Sequence, residues 1–250
     1  EINIGDWSSD VCSSDLFTHR MQAGHQRRAI RVDIQAHNMH RALLPGHRDF
    51  HPVDQIQPKR LSRLTRQRQP GEPFKLLFVG SWMARKGVDL LAPILRQLGE
   101  GFVLHYTGGP AAEKDKAHMP PNMIDMGRLQ GDAAVVAAMQ NADALLFPSR
   151  SEGHPLVAVE AMACGLPIIG MHGSSVSEAV TDGQTGLLCP QNDVAAFVTA
   201  TRSLAADHVR YARLAQAARL QAVEHFSETT MIDAYLHLYH CVAAGAKGAL

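Results

Sequence analysis

Beyond residue 70 the sequence alternates short apolar runs with longer stretches of helical periodicity, and this alternation is the feature that most constrains the fold. The apolar runs have the length and composition of buried strands and lie at residues 74–80, 102–108, 123–127, 144–149, 167–170 and 186–190. Stretches long enough for helices lie between them, at residues 88–98, 132–141, 155–164 and 174–181. A repeat of strand, helix and strand predicts a parallel sheet covered by helices on both faces. Because crossovers between parallel strands are right-handed, we predict a doubly wound α/β fold over residues 71–226.

The segment after residue 193 is rich in alanine and is predicted to be helical as far as about residue 244. We expect a break near Phe226 and Ser227, with the Ser227 hydroxyl capping a C-terminal helix within residues 227–250. Apolar residues recur along this last helix at helical spacing, which is typical of a packed face.

The first seventy residues do not continue the alternation. Residues 1–16 show no helical or strand period, and residues 6–16 correspond to one translated frame of a short-read sequencing adapter. We therefore expect residues 1–16 to be a disordered artefact of adapter origin and exclude them from the fold. Residues 17–70 are rich in Arg and Lys with few aromatic residues between them, which favours a solvated face or linker over a nucleic-acid-binding arm. We expect them to be the remnant of a preceding domain, most of which is missing, and its linker.

Composition and cysteine usage exclude several classes of protein. Hydrophobic residues make up 46% of the chain, 24 basic residues balance 24 acidic ones, and no apolar run could span a bilayer, which indicates a soluble globular protein. Of the four cysteines, Cys12 falls in the adapter segment, and Cys164, Cys189 and Cys241 form no C-x-x-C pair. Neither a disulfide framework nor a zinc site is predicted, and the cytoplasm is the expected compartment.

The loop after the first predicted strand carries positive charge at a tight turn. It reads G-S-W-M-A-R-K-G, from Gly80 and Ser81 to Arg85, Lys86 and Gly87. In a doubly wound sheet, ligands bind beyond the carboxyl ends of the strands. Two cations just before a helix start are suited to phosphate, although this signal alone is weak.

The loop after the fourth predicted strand is a second candidate anion site. Ser149 suits a turn, Gly153 permits unusual backbone angles and Pro155 suits a first helical turn. The N–H groups of Leu156 and Val157 would then be free to bind an anion, with the helix dipole behind them. Glu160 follows Leu156 by one turn on the same helix face, and its two oxygens could accept hydrogen bonds from a vicinal diol such as ribose. Glu152 would face whatever lies beyond the phosphates.

Glu152 and Glu160, with A-M-A-C-G-L-P following, resemble the E-x7-E motif of retaining glycosyltransferases of the GT-B fold, especially family GT4. The resemblance covers roughly residues 44–239, and its motifs are specific because several occur in the expected order. They are Pro45-Gly46 with Phe50 and Pro52, G-x5-K-G from Gly80 to Gly87, Gly127-x-Leu129, Gly173 with Glu178, and D-G-x-T-G-L-L from Asp182 to Leu188.

The resemblance implies a Rossmann-like C-terminal domain that holds a nucleotide-sugar donor. Lys86 would bind the diphosphate and Glu152 the donor sugar, as the catalytic candidates, while Glu160 would bind the ribose hydroxyls. The other implied donor-binding positions are Gly80, Ser81, Arg85, Gly127, Leu129, Ser149, Gly153, His154, Pro155, Leu156 and Val157, with Gly127 and Leu129 bordering the base. Family members often carry Arg at the position of Ser81, and the sequence leaves open whether Arg85 compensates.

By resemblance, the reaction is retaining transfer of a hexosyl group to a saccharide or lipid-linked acceptor. Peripheral association of the intact enzyme with the inner face of the membrane stays open. Because the acceptor-binding half would be missing, we expect the chain to bind donor weakly and to transfer nothing by itself. Nucleic acid is not an expected partner.

Alternative functions and roles remain at this stage. An epimerase of the same fold would release nucleotide and rearranged sugar without an acceptor, and a non-catalytic nucleotide-binding module would keep its affinity without Glu152. A dinucleotide oxidoreductase is disfavoured because no G-x-G-x-x-G follows a predicted strand. Glu152 could instead cap the following helix, and Glu160 could be a first-turn acid that the helix dipole favours.

No metal or other cofactor is expected. His37 with His40, and His237 with His240, have a spacing that could place two ligands together, but neither pair has an associated carboxylate or third ligand. The absence of a D-x-D motif from the sequence agrees with metal-independent transfer in this fold family.

Overall fold

Parallel strands in the order β3-β2-β1-β4-β5-β6 form the sheet at the centre of the computed structural model, which describes residues 68–69, 71–108, 119–173 and 175–243. All pairings within this sheet are parallel. The strands are β1 (Phe74–Phe78), β2 (Phe102–Tyr106), β3 (Met123–Asp125), β4 (Ala144–Phe147), β5 (Ile168–Met171) and β6 (Gly186–Cys189). The predicted doubly wound α/β sheet is confirmed, while the expectations for residues 1–67 lie outside the described residues.

The helices follow the strands as the sequence predicts. The observed bounds of the first four helices differ from the predicted bounds by no more than two residues at either end. They are α1 (Val88–Leu98), α2 (Asp132–Gln140), α3 (Leu156–Ala163), α4 (Val176–Ala179), α5 (Val194–Ala206), α6 (His208–His225) and α7 (Glu228–Ala243). A short 3-10 helix, Ala84–Lys86, precedes α1. Differences of this size are normal at helix ends, where the hydrogen-bond ladder frays.

Alternate strand residues face two separate hydrophobic cores, one on each side of the sheet. On β1, Leu76 belongs to the core that α1 and α5 cover, whereas Leu77 belongs to the core beneath α2 and α3. Both side chains are at most 1% exposed. Because both faces of the sheet are covered, the strands read as continuous apolar runs rather than as alternating ones.

Capping side chains divide the C-terminal helical segment into three helices. The N–H of Ala196 donates to Asp193 Oδ1 at 2.9 Å, and the N–H of Arg210 donates to Asp207 Oδ1 at 2.8 Å. Ser227 Oγ accepts from the Thr230 N–H at 3.2 Å, which confirms the predicted cap and the break before it. The break at Asp207 was not predicted, because the apolar pattern continues across it.

The strand order reverses between β1 and β4, which pair through Leu76 with Ala144 and Leu77 with Leu145. The chain proceeds outward from β1 to β2 and β3 on one side, and from β4 to β5 and β6 on the other. Such a switch point opens a crevice beyond the carboxyl ends of its two central strands. The loops after β1 and β4 border this crevice, and they are the two loops that the sequence marks as candidate sites.

Gly87 brings these two loops into close contact. Its backbone has a φ of 70°, in the left-handed region, and a Cβ placed there would lie 2.0 Å from the Pro148 carbonyl oxygen. A side chain at position 87 would therefore meet a backbone strain and a backbone clash together.

We predict that Gly87→Ala lowers the free energy of unfolding by about 2 kcal/mol or more, because strain and clash add. Gly101→Ala is the matched control, since no atom lies within 4 Å of a Cβ there. Its effect should stay within about 1 kcal/mol. Urea denaturation of the two variants measures the difference, and equal effects would contradict this account of the loop contact.

Candidate functional site

Lys86 and Glu152, predicted from two separate loops, form an ion pair at the switch point. Lys86 Nζ lies 2.6 Å from Glu152 Oε1, and the two side chains are 14% and 8% exposed. The same ammonium lies 5.9 Å from the centroid of the Phe147 ring, at the end of β4. The pair is thus largely removed from water. In such surroundings the attraction between opposite charges is stronger than at the surface.

Local backbone structure positions both members of the pair. The Lys86 N–H donates to the Met83 carbonyl at 2.9 Å and the Gly87 N–H to the Ala84 carbonyl at 3.0 Å, which closes the turn before α1. On the other side, Ser175 Oγ donates to the Glu152 carbonyl at 2.8 Å. Sequence reasoning missed Ser175, since no local pattern links it to a residue 23 positions away.

The start of α3 corrects one prediction about the second loop. The Leu156 N–H is not free, because it donates to the His154 carbonyl at 2.9 Å. Of the two amides that the sequence predicted to be free, only that of Val157 lacks an acceptor among the described residues. The φ of Gly153 lies outside the left-handed region, so the loop does not use the conformational freedom that a glycine permits there.

Neither structural alternative for the two acids is observed. No side chain caps α3, whose N-cap residue is Pro155, so Glu152 is not a helix cap. The first turn of α3 contains no acidic residue, so Glu160 is not a first-turn acid. Its position must therefore be explained by what surrounds it.

Glu160 faces a cavity of about 460 Å³ between α3 and the junction of α6 with α7. His154 and Leu156 line the cavity from the α3 side, and Phe226 and Tyr235 line it from the other. Burial, with a smaller contribution from the charge of Asp132, raises the pKa of Glu160 to about 7. The carboxyl group thus meets two effects that disfavour its ionised form.

The remaining predicted positions surround the ion pair at different depths. Ser81 and Arg85 are exposed, while a Cβ at Gly80 would lie 3.9 Å from Lys86 Cδ. Ser149 is 1% exposed, and its hydroxyl has no hydrogen-bond partner among the described residues. A ligand could reach that hydroxyl only if the loop moved.

Gly127 and Leu129 occupy the turn between β3 and α2. Gly127 has a φ of 65°, and its N–H donates to Asp125 Oδ1 at 2.8 Å. Leu129 is partly buried and packs against the core beneath α2 and α3. The turn therefore has a defined backbone conformation.

Two further findings concern metals and membranes. Within residues 71–108, 119–173 and 175–243, no three His, Cys, Asp or Glu side chains cluster as metal ligands would. His37 and His40 lie outside the described residues, and His237 Nε2 lies 3.6 Å from Cys241 Sγ. No helix in the described ranges has both the length and the apolarity to cross a membrane.

Fold and site together define a Rossmann-like domain with charged groups gathered at its switch point. Residues 73–207 match the model of the family described as Glycosyl transferases group 1. The match covers more than half of the chain, which therefore belongs to this family.

Individual relatives agree with this assignment. Glycogen synthase from Mycobacterium tuberculosis is 33% identical over 184 residues, which are 70% of this chain and 44% of that protein. Sucrose-phosphate synthase from Thermosynechococcus elongatus superposes with a TM-score of 0.61 at 24% identity, over 79% of this chain and 50% of the other. HepE from Anabaena, solved in complex with UDP and glucose, gives a TM-score of 0.60 at 19% identity, over 68% and 48%. These structures share the fold, which confirms the GT-B C-terminal domain, and the chain spans about half the length of the proteins it matches.

The raised pKa of Glu160 has a consequence for stability. A carboxyl group with a raised pKa holds its proton more tightly in the folded state than in the unfolded state. Raising the pH from 4.5, the ordinary pKa of the group, to about 7 therefore destabilises the folded state, and the penalty is constant above that pH. Glu160→Gln cannot ionise. We predict that its advantage in unfolding free energy over the parent grows by about 1 to 3 kcal/mol between pH 5 and pH 8.

Denaturation with urea at the two pH values measures this difference. Glu224→Gln, at an exposed position of α6, controls for the exchange of carboxylate for amide and should change stability by no more than about 0.5 kcal/mol at either pH. If the advantage of Glu160→Gln did not grow with pH, burial would not be raising the pKa of Glu160.

Proposed function

We propose that the protein is a retaining glycosyltransferase that transfers a sugar from a nucleoside-diphosphate sugar to a saccharide or lipid-linked acceptor. The observation that carries this proposal is the buried ion pair of Lys86 with Glu152 at the switch point, beside the start of α3. It joins a cation suited to phosphate and an acid suited to sugar hydroxyls.

Breaking a glycosyl-phosphate bond leaves negative charge on the departing diphosphate and positive character on the sugar. A cation held in advance, in surroundings of low dielectric, stabilises that negative charge better than water does. Lys86 is such a cation, since its ammonium is only partly exposed and lies on a fixed turn. The unpaired Val157 N–H, at the positive end of the α3 dipole, adds a second donor on the same side.

Donor binding on this account exchanges partners within the ion pair. Lys86 gives up the Glu152 carboxylate for a phosphate oxygen, and Glu152 is then available to accept hydrogen bonds from the sugar. Lys86 thereby exchanges one anionic partner for another, and the sugar hydroxyls supply hydrogen bonds to the Glu152 carboxylate in place of the ammonium. The 2.6 Å contact in the ligand-free protein is therefore compatible with a binding role.

Glu160 would hold the ribose. Its two oxygens can accept from the two hydroxyls of a vicinal diol, and such hydrogen bonds favour the ionised form. A bound ribose would thus offset the burial that raises the Glu160 pKa. Gly127 and Leu129, on the turn before α2, would border the base.

The similarity to known proteins supports a nucleotide-sugar donor. HepE from Anabaena was solved with UDP and glucose, and a relative of 33% identity is named glycogen synthase. UDP is therefore a suitable probe of the site. We propose that donor binding uses Lys86 and backbone amides without a metal ion.

We predict that Lys86→Ala weakens UDP binding by roughly tenfold to a hundredfold, because a charge-assisted hydrogen bond to phosphate is lost and Glu152 is left facing the anion. Lys75→Ala is the matched control, since Lys75 also pairs with a glutamate, Glu72, at 2.8 Å, but at the amino end of β1. Titration calorimetry in EDTA measures both. A Lys86→Ala dissociation constant within twofold of the parent's would overturn the diphosphate assignment, and a requirement for Mg²⁺ would overturn the metal-free one.

We further predict that Glu152→Gln weakens binding of UDP-glucose more than binding of UDP, by roughly tenfold, because only the former carries the sugar that Glu152 would contact. Comparing the two ligands on one variant cancels any change in the position of Lys86. Equal losses for both ligands would contradict a contact between Glu152 and the sugar, and unchanged affinity for both would favour a non-catalytic nucleotide-binding module.

A further inference from the structure

Arg150 lies two residues before Glu152 and connects the two loops of the candidate site. Its N–H donates to the Arg85 carbonyl at 2.8 Å, and its Nη1 donates to the Ala84 carbonyl at 2.5 Å. Both carbonyls belong to the 3-10 turn that ends at Lys86. Backbone and side chain of one residue therefore hold the turn that presents Lys86.

The Arg150 guanidinium also binds a side chain at the start of α1. Nη1 and Nη2 donate to the two carboxylate oxygens of Asp89, both at 2.7 Å, in a bidentate pair. The hydrogen bond from Arg150 is the main reason why the pKa of Asp89 is lowered from its usual value. A planar fork matched to a carboxylate fixes orientation as well as distance, which a single point charge would not do.

A third loop is attached through Nε, which donates to Asn192 Oδ1 at 2.8 Å. Asn192 has a φ of 59° and is the one residue other than glycine with a positive φ in the described part of the chain. A backbone in this region is strained for most residues and persists where surrounding contacts hold it. The bond from Arg150 is one such contact.

We propose that Arg150 is a positioning residue, which fixes the Lys86 turn against the Glu152 loop without contacting the donor itself. Four of the five N–H groups of the guanidinium are already engaged, one on Nε, two on Nη1 and one on Nη2. Little donor capacity is left for a phosphate. Because this role presumes the donor site proposed above, its test needs one measurement with a nucleotide and one without.

The measurement without a nucleotide is hydrogen exchange of the ligand-free chain. The amides of Lys86 and Gly87 close the turn, through bonds to the carbonyls of Met83 and Ala84. Arg150→Met should speed their exchange by roughly tenfold or more, because the turn can then open locally. Arg202→Met is the matched control, since Arg202 binds the Gln97 carbonyl at 2.7 Å, near the opposite end of α1. It should leave exchange of the turn unchanged.

The measurement with a nucleotide is the affinity for UDP. Arg150→Met should weaken UDP binding by roughly tenfold, below the hundredfold that a misplacement of 1 Å can produce. Asp89→Asn should also weaken it, because the fork loses its carboxylate, although Asp89 itself has no role in binding an anion. Arg150→Lys should behave like Arg150→Met, since it keeps the charge but not the fork.

The outcomes separate the roles. Faster exchange of the turn together with weaker UDP binding in both Arg150→Met and Asp89→Asn supports positioning. Unchanged exchange of the turn, or faster exchange with unchanged UDP affinity, overturns it. Full affinity in Arg150→Lys, or tighter binding in Asp89→Asn, would show instead that Arg150 acts on the anion as a charge. If the parent chain binds none of UDP, ADP and GDP, the proposed donor site fails, and the exchange measurement still decides whether Arg150 holds the turn.

Discussion

The pairing of β1 with β4 is the constraint on which the rest of the site depends. These strands are separated by about 70 residues of sequence, yet their parallel register aligns Leu77 with Leu145 and brings the loops that follow to one end of the sheet. The loops then approach so closely that position 87 has no room for a Cβ beside the Pro148 carbonyl. Lys86 and Glu152 meet because of this packing, so the chemistry of the site is a consequence of strand order.

An ion pair as enclosed as that of Lys86 with Glu152 is weak evidence for stability. Removing two charges from water is unfavourable, and their mutual attraction offsets this only when the geometry is good. Because the two side chains are only 14% and 8% exposed, replacing either one alone would leave the charge of the other without compensation. An incoming diphosphate and sugar could take over both halves of the pair, which gives the arrangement a functional explanation that stability alone does not supply.

Periodicity in the sequence predicts the strands and all the helices except the break at Asp207, since periodicity depends on residues that are near neighbours along the chain. The Ser227 cap, a contact over three residues, was predictable for the same reason. What the sequence did not predict depends on finer geometry or on contacts of longer range. The Leu156 N–H donates to the His154 carbonyl, and Arg150 donates to Asp89 across 61 residues. A motif shows which residues two loops carry, whereas hydrogen bonds between the loops depend on strand register. Arg150 stands in the loop after the fourth predicted strand, where nothing local distinguishes it from a solvated arginine.

The two acids of the site differ in what surrounds them, and this difference argues for different roles. Glu152 faces a cation at 2.6 Å, so its charge is matched within the protein. Glu160, by contrast, faces a cavity, with Asp132 as a like charge, and its pKa is raised to about 7. On the function proposed above, a ligand that donates hydrogen bonds to Glu160 would offset the penalty on its ionisation, and the cavity beside it provides space for such a ligand.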